Sequence, residues 1–360
     1  MEKKSRHKIL SLNKWLPSLT ACTKIIPMSW DILGHAWAVD MLRQHVARQQ
    51  LRHAYLFTGP QGVGSRTLAL RFAQAINCPQ PKSPGEPCRE CRICKQIEAM
   101  HQADLSVLQA DIEGGVIKVE RVRELRHTLS LTPYEAAYRI ALLLRFEEAN
   151  KNAQNALLKT LEEPNPRVIL LLTADIAEHL LPTIVSRCEI LRLRPMSMEA
   201  LAKALEARDT PAEEADMLAH IAGGRPGYAL RLQVEPDLLK NRREWLDALL
   251  ELMKSTRRGR FAFAKERTRG KDRKMVKKEL RAGLMYWNSF WRDVLIVCTG
   301  SHVPLTNLDY QDAVQRIAAA MEMGQVRQLI NVHQKALLRL YSANLRLLLE
   351  ALLLELPEIN

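Results

Sequence analysis

The chain has 360 residues, 47% of them hydrophobic and 26% charged, with a formal net charge of +13. That composition excludes a disordered or fibrous chain and predicts a soluble globular protein of two or three domains. No run of about 18 apolar residues occurs, so no membrane-spanning helix is expected.

The charge is unevenly placed. Residues 1–28 carry a net +5, and residues 254–281 hold thirteen Lys/Arg against three acids, leaving the remainder at −2. Such segments suit an anionic partner such as nucleic acid; a solvated, charged helix face accounts for them equally well. Residues 1–28 show no periodicity and read as a basic N-terminal extension, expected to be disordered. Asn13, Lys14, Pro17 and Lys24 interrupt any signal-peptide core. Four of the seven cysteines crowd into seventeen residues. Without an export signal, this predicts a metal site in a reducing, cytoplasmic compartment and not disulfides.

In chain order, Ala36, Val39, Leu42 and Val46 form a helical stripe. Residues 54–58 read as a strand, followed by Gly59-Pro60-Gln61-Gly62-Val63-Gly64-Ser65-Arg66-Thr67 and a helix to about residue 76. A strand, a glycine-rich turn and a helix N-terminus make a phosphate cradle, as in P-loop proteins. Gly59 and Gly64 have the required spacing, with Gly62 between them. Ser65 stands where the phosphate-binding lysine belongs, and Arg66 where the magnesium-binding hydroxyl belongs.

Strands are predicted at 105–108, 139–144, 168–173 and 189–193, and helices at 119–129 and 151–163. Asp175 is expected to cap a short helix reaching Leu181, and Pro182 suits the start of the next. The alternation predicts a doubly wound parallel sheet. Beyond residue 197 only helical patterns occur: short helices around Gly223-Gly224-Arg225-Pro226-Gly227, then long ones over 236–356. The expected organisation is an extension (1–28), an α/β domain (29–195) with a cysteine module (78–97), a small helical lid domain (196–235) and an all-α C-terminal domain (236–360).

Cys78-x9-Cys88-x2-Cys91-x2-Cys94 supplies four thiolates at a spacing that closes a tetrahedral zinc site. Four protein ligands leave no position for water, so the zinc is expected to be structural; an iron–sulfur cluster also takes four thiolates. An active P-loop ATPase needs an acid at the end of a second strand to hold magnesium. Here the strand at 139–144 runs into Arg145, and Glu147 and Glu148 read as the first turn of the following helix.

The run Asn155-Ala156-Leu157-Leu158-Lys159-Thr160-Leu161-Glu162-Glu163-Pro164, followed by residues 167–173 and Ser186-Arg187-Cys188, resembles the bacterial clamp-loader subunits of the AAA+ superfamily. Residues 30–35, residues 53–60, the cysteine insertion and, more weakly, residues 344–354 match as well. The resemblance implies an AAA+ core with a zinc-binding insertion, a helical lid and a helical collar. It implies a place in a hetero-pentamer with other AAA+ subunits, acting on a sliding clamp and primer–template DNA. Degenerate loop and strand motifs resemble the non-motor members, in which Gly59, Gly62, Gly64, Ser65 and Arg66 would bind nucleotide weakly or not at all. In that family the Ser-Arg-Cys arginine, here Arg187, enters a neighbour's ATP site as an arginine finger. The match puts Tyr228 where a sensor arginine would stand, with Arg225 out of register, and Thr173 at the first sensor position. On the residues alone, two other readings stay open. One is an active ATPase in which Arg66 replaces the lysine. The other is a stand-alone zinc-containing DNA-binding protein using residues 254–281.

Overall fold

The computed structural model describes residues 30–111, 114–270 and 272–358. The expected basic extension lies outside them. The first part of the described chain is built of helices and strands: α1 (Ala36–Ala47), β1 (Ala54–Thr58), α2 (Ser65–Asn77), α3 (Arg92–Glu98), β2 (Leu105–Leu108), α4 (Val119–Leu129), β3 (Arg139–Leu143), α5 (Lys151–Glu162), β4 (Val168–Ala174), α6 (Pro182–Val185) and β5 (Glu189–Arg192). The five strands form one sheet in the order β2-β3-β4-β1-β5, and every pairing is parallel.

Burial explains the apolar runs. Every residue of β1, β3 and β4 is buried, as expected where helices cover both faces of a parallel sheet. The side-chain period of two sorts them: Tyr55 and Phe57 enter one layer with Leu68 and Phe72, while Ala54 and Leu56 enter the other with Val122 and Leu157. Arg139 is a buried cation inside a strand, and Asp104 answers it at 3.1 Å. The same carboxylate accepts from the backbone N–H groups of Tyr134, Glu135 and Ala136, so one buried acid fixes both the strand and the loop before it.

The rest of the described chain is helical: α7 (Met198–Glu206), α8 (Ala212–Ala222), α9 (Pro226–Val234), α10 (Pro236–Lys254), α11 (Arg257–Arg267), α12 (Arg273–Cys298), α13 (Gln311–Ala320), α14 (Met323–Arg339) and α15 (Leu345–Leu354). Helices α7–α9 share a small core built on Leu201, Leu205, Leu218 and Ile221. Helices α10–α15 share a larger one around Trp245, Trp287 and Trp291. Arg260 is buried in the latter and donates to the carbonyls of Leu353, Leu356 and Pro357, satisfying the C-terminal end of α15.

Two expectations fail locally. Asp175 does not cap a helix: the short 3-10 turn covers Ala177–His179, with Ile176 at its N-cap and no side-chain cap. Glu147 and Glu148 do not open α5 either. They lie in a separate 3-10 turn, Phe146–Glu148, because Asn150 takes the N-cap and accepts from the Ala153 N–H at 2.8 Å.

Candidate functional site

The glycine turn follows β1 at the C-terminal edge of the sheet, where open α/β sheets bind ligands. The Gly59 N–H donates to the Ala174 carbonyl, and a Cβ there would lie 2.4 Å from the Leu193 oxygen. Gly62 is pressed from the other side: a Cβ would come within 2.8 Å of Tyr228 Cβ. Gly64, at φ +111°, is the N-cap of α2, and a Cβ there would meet nothing within 4 Å. Thus two of the glycines are demanded by packing, and only Gly64 faces the space a phosphate would fill.

The start of α9 closes over this turn. The Tyr228 N–H donates to the Gly62 carbonyl at 3.2 Å, and Arg225 Nη1 donates to the Gln61 carbonyl at 3.2 Å. Arg225 also stacks on the Tyr228 ring, 4.8 Å from its centroid. Burial lowers the Arg225 pKa, opposed by the nearby Tyr228. Arg66, whose side chain is exposed, rests against Met100 Sδ at 3.2 Å. At the neighbouring strand end, Arg145 takes a left-handed conformation at φ +48°. Its N–H donates to Thr173 Oγ1, so the hydroxyl at the expected sensor position is engaged. Its side chain pairs with Glu148 at 2.9 Å. Burial, reinforced by the charges of Asp175 and Glu148, pushes Glu147 up to about 7. No carboxylate projects from the end of β3 itself.

Cys78, Cys88, Cys91 and Cys94 converge, with all four Sγ atoms within 4.8 Å of one another. Cys78 and Cys88 Sγ are 3.5 Å apart, and Cys88 and Cys94 Sγ 3.9 Å. A tetrahedral ion with bonds of about 2.3 Å separates its sulfurs by about 3.8 Å, so the four fit a single ion. Backbone N–H groups of Cys88, Cys91 and Cys94 each point at the sulfur of the preceding cysteine. Such donors favour thiolates. Burial works against the Cys88 thiolate, yet the N–H groups of Cys91 and Glu90 bring that thiol down to about 6. Burial raises Cys78 and Cys94. The module is clasped to α2: Gln74 Nε2 donates to the Cys94 carbonyl at 2.7 Å, and Arg71 pairs with Glu98 at 2.9 Å.

Arg187 follows α6. Its Nη1 donates to the Thr183 carbonyl at 2.9 Å, and its Nη2 pairs with Glu162 at 3.0 Å. Both side chains are partly exposed, at 35% and 51%. The sequence-predicted residues therefore form three separate clusters, cradle, thiols and arginine. The fold brings together those within a cluster but not the clusters themselves. Sequence reasoning missed Glu162, although it lies inside the run quoted above, because its partner is 25 positions away. It also missed the role of Arg225 and Tyr228. The Pro226-Gly227 start of α9 was the available signal, since only a small residue lets a helix end approach the glycine turn.

Residues 34–197 match the family described as DNA polymerase III, delta subunit. The delta' subunit of Bacillus subtilis DNA polymerase III is 29% identical over 89% of this chain and 95% of its own. The delta' subunit of Pseudomonas aeruginosa is 38% identical over 55% of this chain and 61% of its own. Along most of its length the chain is therefore similar to DNA polymerase III clamp-loader subunits. The tau subunit of Bacillus subtilis DNA polymerase III is 32% identical, over 56% of this chain and 36% of its own. A solved gamma-subunit-related protein of Thermotoga maritima covers 88% of this chain and 97% of its own at 18% identity and a TM-score of 0.48, a likeness that adds nothing to the sequence matches.

Proposed function

We propose that this clamp-loader subunit is a non-motor one, which serves a neighbour's ATP site and does not turn over ATP itself. The observation that carries this is the cradle: the lysine position holds Ser65, Arg66 lies against Met100, and Arg145 occupies the end of β3. Nothing there supplies the ammonium that holds the β- and γ-phosphates or the acid that holds magnesium. The hydrogen bonds from Tyr228 and Arg225 support the view that the turn is kept for packing. Arg187, partly exposed after α6, is the group offered to the neighbour. A guanidinium brings a permanent charge and a fixed fork of donors to the developing γ-phosphate charge. Residues 29–195, 196–235 and 236–360 would act as core, lid and collar, with the collar joining a hetero-pentamer of AAA+ subunits. The assembly would place a sliding clamp on primer–template DNA in the cytoplasm. The four cysteines would hold zinc, a structural ion because protein fills every position.

The test is co-purification followed by an ATP assay. The chain should retain a second AAA+ chain that has an intact P-loop lysine, and ATP turnover should need that partner. Turnover by this chain alone that disappears in Gly64→Asp would refute the proposal.

A further inference from the structure

Thirteen Lys/Arg lie between residues 254 and 281, and the structure separates those with internal work from those without. Arg260 is buried against the carbonyls that end α15. Arg267 lies over the rings of Trp245 and Phe263, and Lys277 over that of Tyr341. Arg281 is half-buried with an interaction of its own, and Lys271 lies outside the described residues. The other eight are exposed. They include Arg257, Arg258 and Lys265 on α11 and Arg273 and Lys274 opening α12. Of the three acids in the segment, Asp272 is spent as the N-cap of α12, accepting from the Lys274 N–H at 2.8 Å.

The face is more than a charge run. Arg257, Phe261 and Lys265 recur every four residues and so line one side of α11. Phe261 is 37% exposed, an aromatic surface between two cations. Each cation can neutralise a phosphate, and the ring can take an unpaired base. A duplex keeps its bases stacked inside and can use only the cations.

We propose that the exposed face of α11 and the start of α12 bind single-stranded nucleic acid, cations on the phosphates and Phe261 on a base. The proposal rests on the clamp-loader reading only for the class of partner. Binding by the lone chain is read without ATP, so either can fail alone.

The experiment is fluorescence anisotropy of a labelled oligo(dT), with the full chain over a range of salt. Binding weakens as salt rises. Arg257→Glu/Arg258→Glu/Lys265→Glu weakens it at least about tenfold and reduces the slope of log K against log salt by about 2, near 0.7 for each lost contact. Phe261→Leu keeps the salt slope and loses about fivefold in affinity. Arg316→Glu/Arg327→Glu/Lys335→Glu, the same charge change at exposed positions of α13 and α14, loses far less. Equal losses in the two triple variants, equal or tighter binding of duplex, or preference for phosphatidylserine vesicles over oligo(dT) would each overturn the proposal.

Discussion

At the scale of single residues, the ion pair with Glu162 fixes where the Arg187 guanidinium lies, the group proposed above to serve a neighbour. Glu162 is the last residue of α5, an end where the helix dipole disfavours an anion, and Arg187 offsets that at 3.0 Å. Because both side chains are partly exposed, the pair contributes at most about 1 kcal/mol to stability. Glu162→Gln should therefore leave the melting temperature nearly unchanged, which calorimetry would show. Any change it causes in ATP turnover of the assembled complex then reports the orientation of Arg187. The cradle residues make a related point. Reading Ser65 and Arg66 against the lysine pattern needed only the sequence. That Gly59 and Gly62 serve packing required knowing that Leu193 and Tyr228, well over a hundred positions away in sequence, come to rest on them.

At the scale of elements, the cysteine module and α14 carry predictions of opposite kinds. The module has one short helix, α3, and Cys91 at its N-cap takes part in the thiol cluster. Removing a bound ion would leave four thiolates to take up protons and lose their common centre, so strong chelation should loosen residues 78–98 while the α10–α15 bundle stays folded. Elemental analysis should find one zinc per chain, and hydrogen exchange after chelation should rise in that module alone. Iron in place of zinc, or unchanged exchange, would contradict this. In α14, His333 is fully buried beside Trp287 and Trp291, with Nδ1 donating to the Leu329 carbonyl and Nε2 without a partner. Burial lowers its pKa to about 4, opposed by the hydrogen bond to the Leu329 carbonyl. A depressed histidine means the unfolded chain takes up the proton first, so stability is intact above the unfolded value and is lost as pH falls towards 4. Between pH 7.5 and pH 5 this should cost about 2 kcal/mol, measurable by urea unfolding. His333→Leu should remove most of that dependence. The elements themselves were legible where physics is local. Strands β1, β3 and β4 are buried on both faces and so read as apolar runs; α4 and β2 follow their periods. Element α3 is shorter than any periodicity can mark, α6 is marked only by Pro182 at its start, and the turn after β4 differs from the reading because Ile176, not Asp175, stands at its N-cap.

At the scale of the whole molecule, the fold class was open to sequence reading because strands and helices are interleaved up to residue 192, and among the described residues no strand follows. The contact between α9 and the glycine turn was not, since it joins regions with separate apolar cores through backbone carbonyls. That contact ties α9 to the outer side of the glycine turn through the Gly62 and Gln61 carbonyls, while a Cβ at Gly64 would meet nothing within 4 Å.

The most direct test of this account is DNA-stimulated ATP turnover by the reconstituted complex carrying Arg187→Ala. The account predicts that the complex still assembles, that KM for ATP changes little, and that kcat falls at least about tenfold, within the range open to an arginine finger. Undiminished kcat in a fully assembled complex would contradict it.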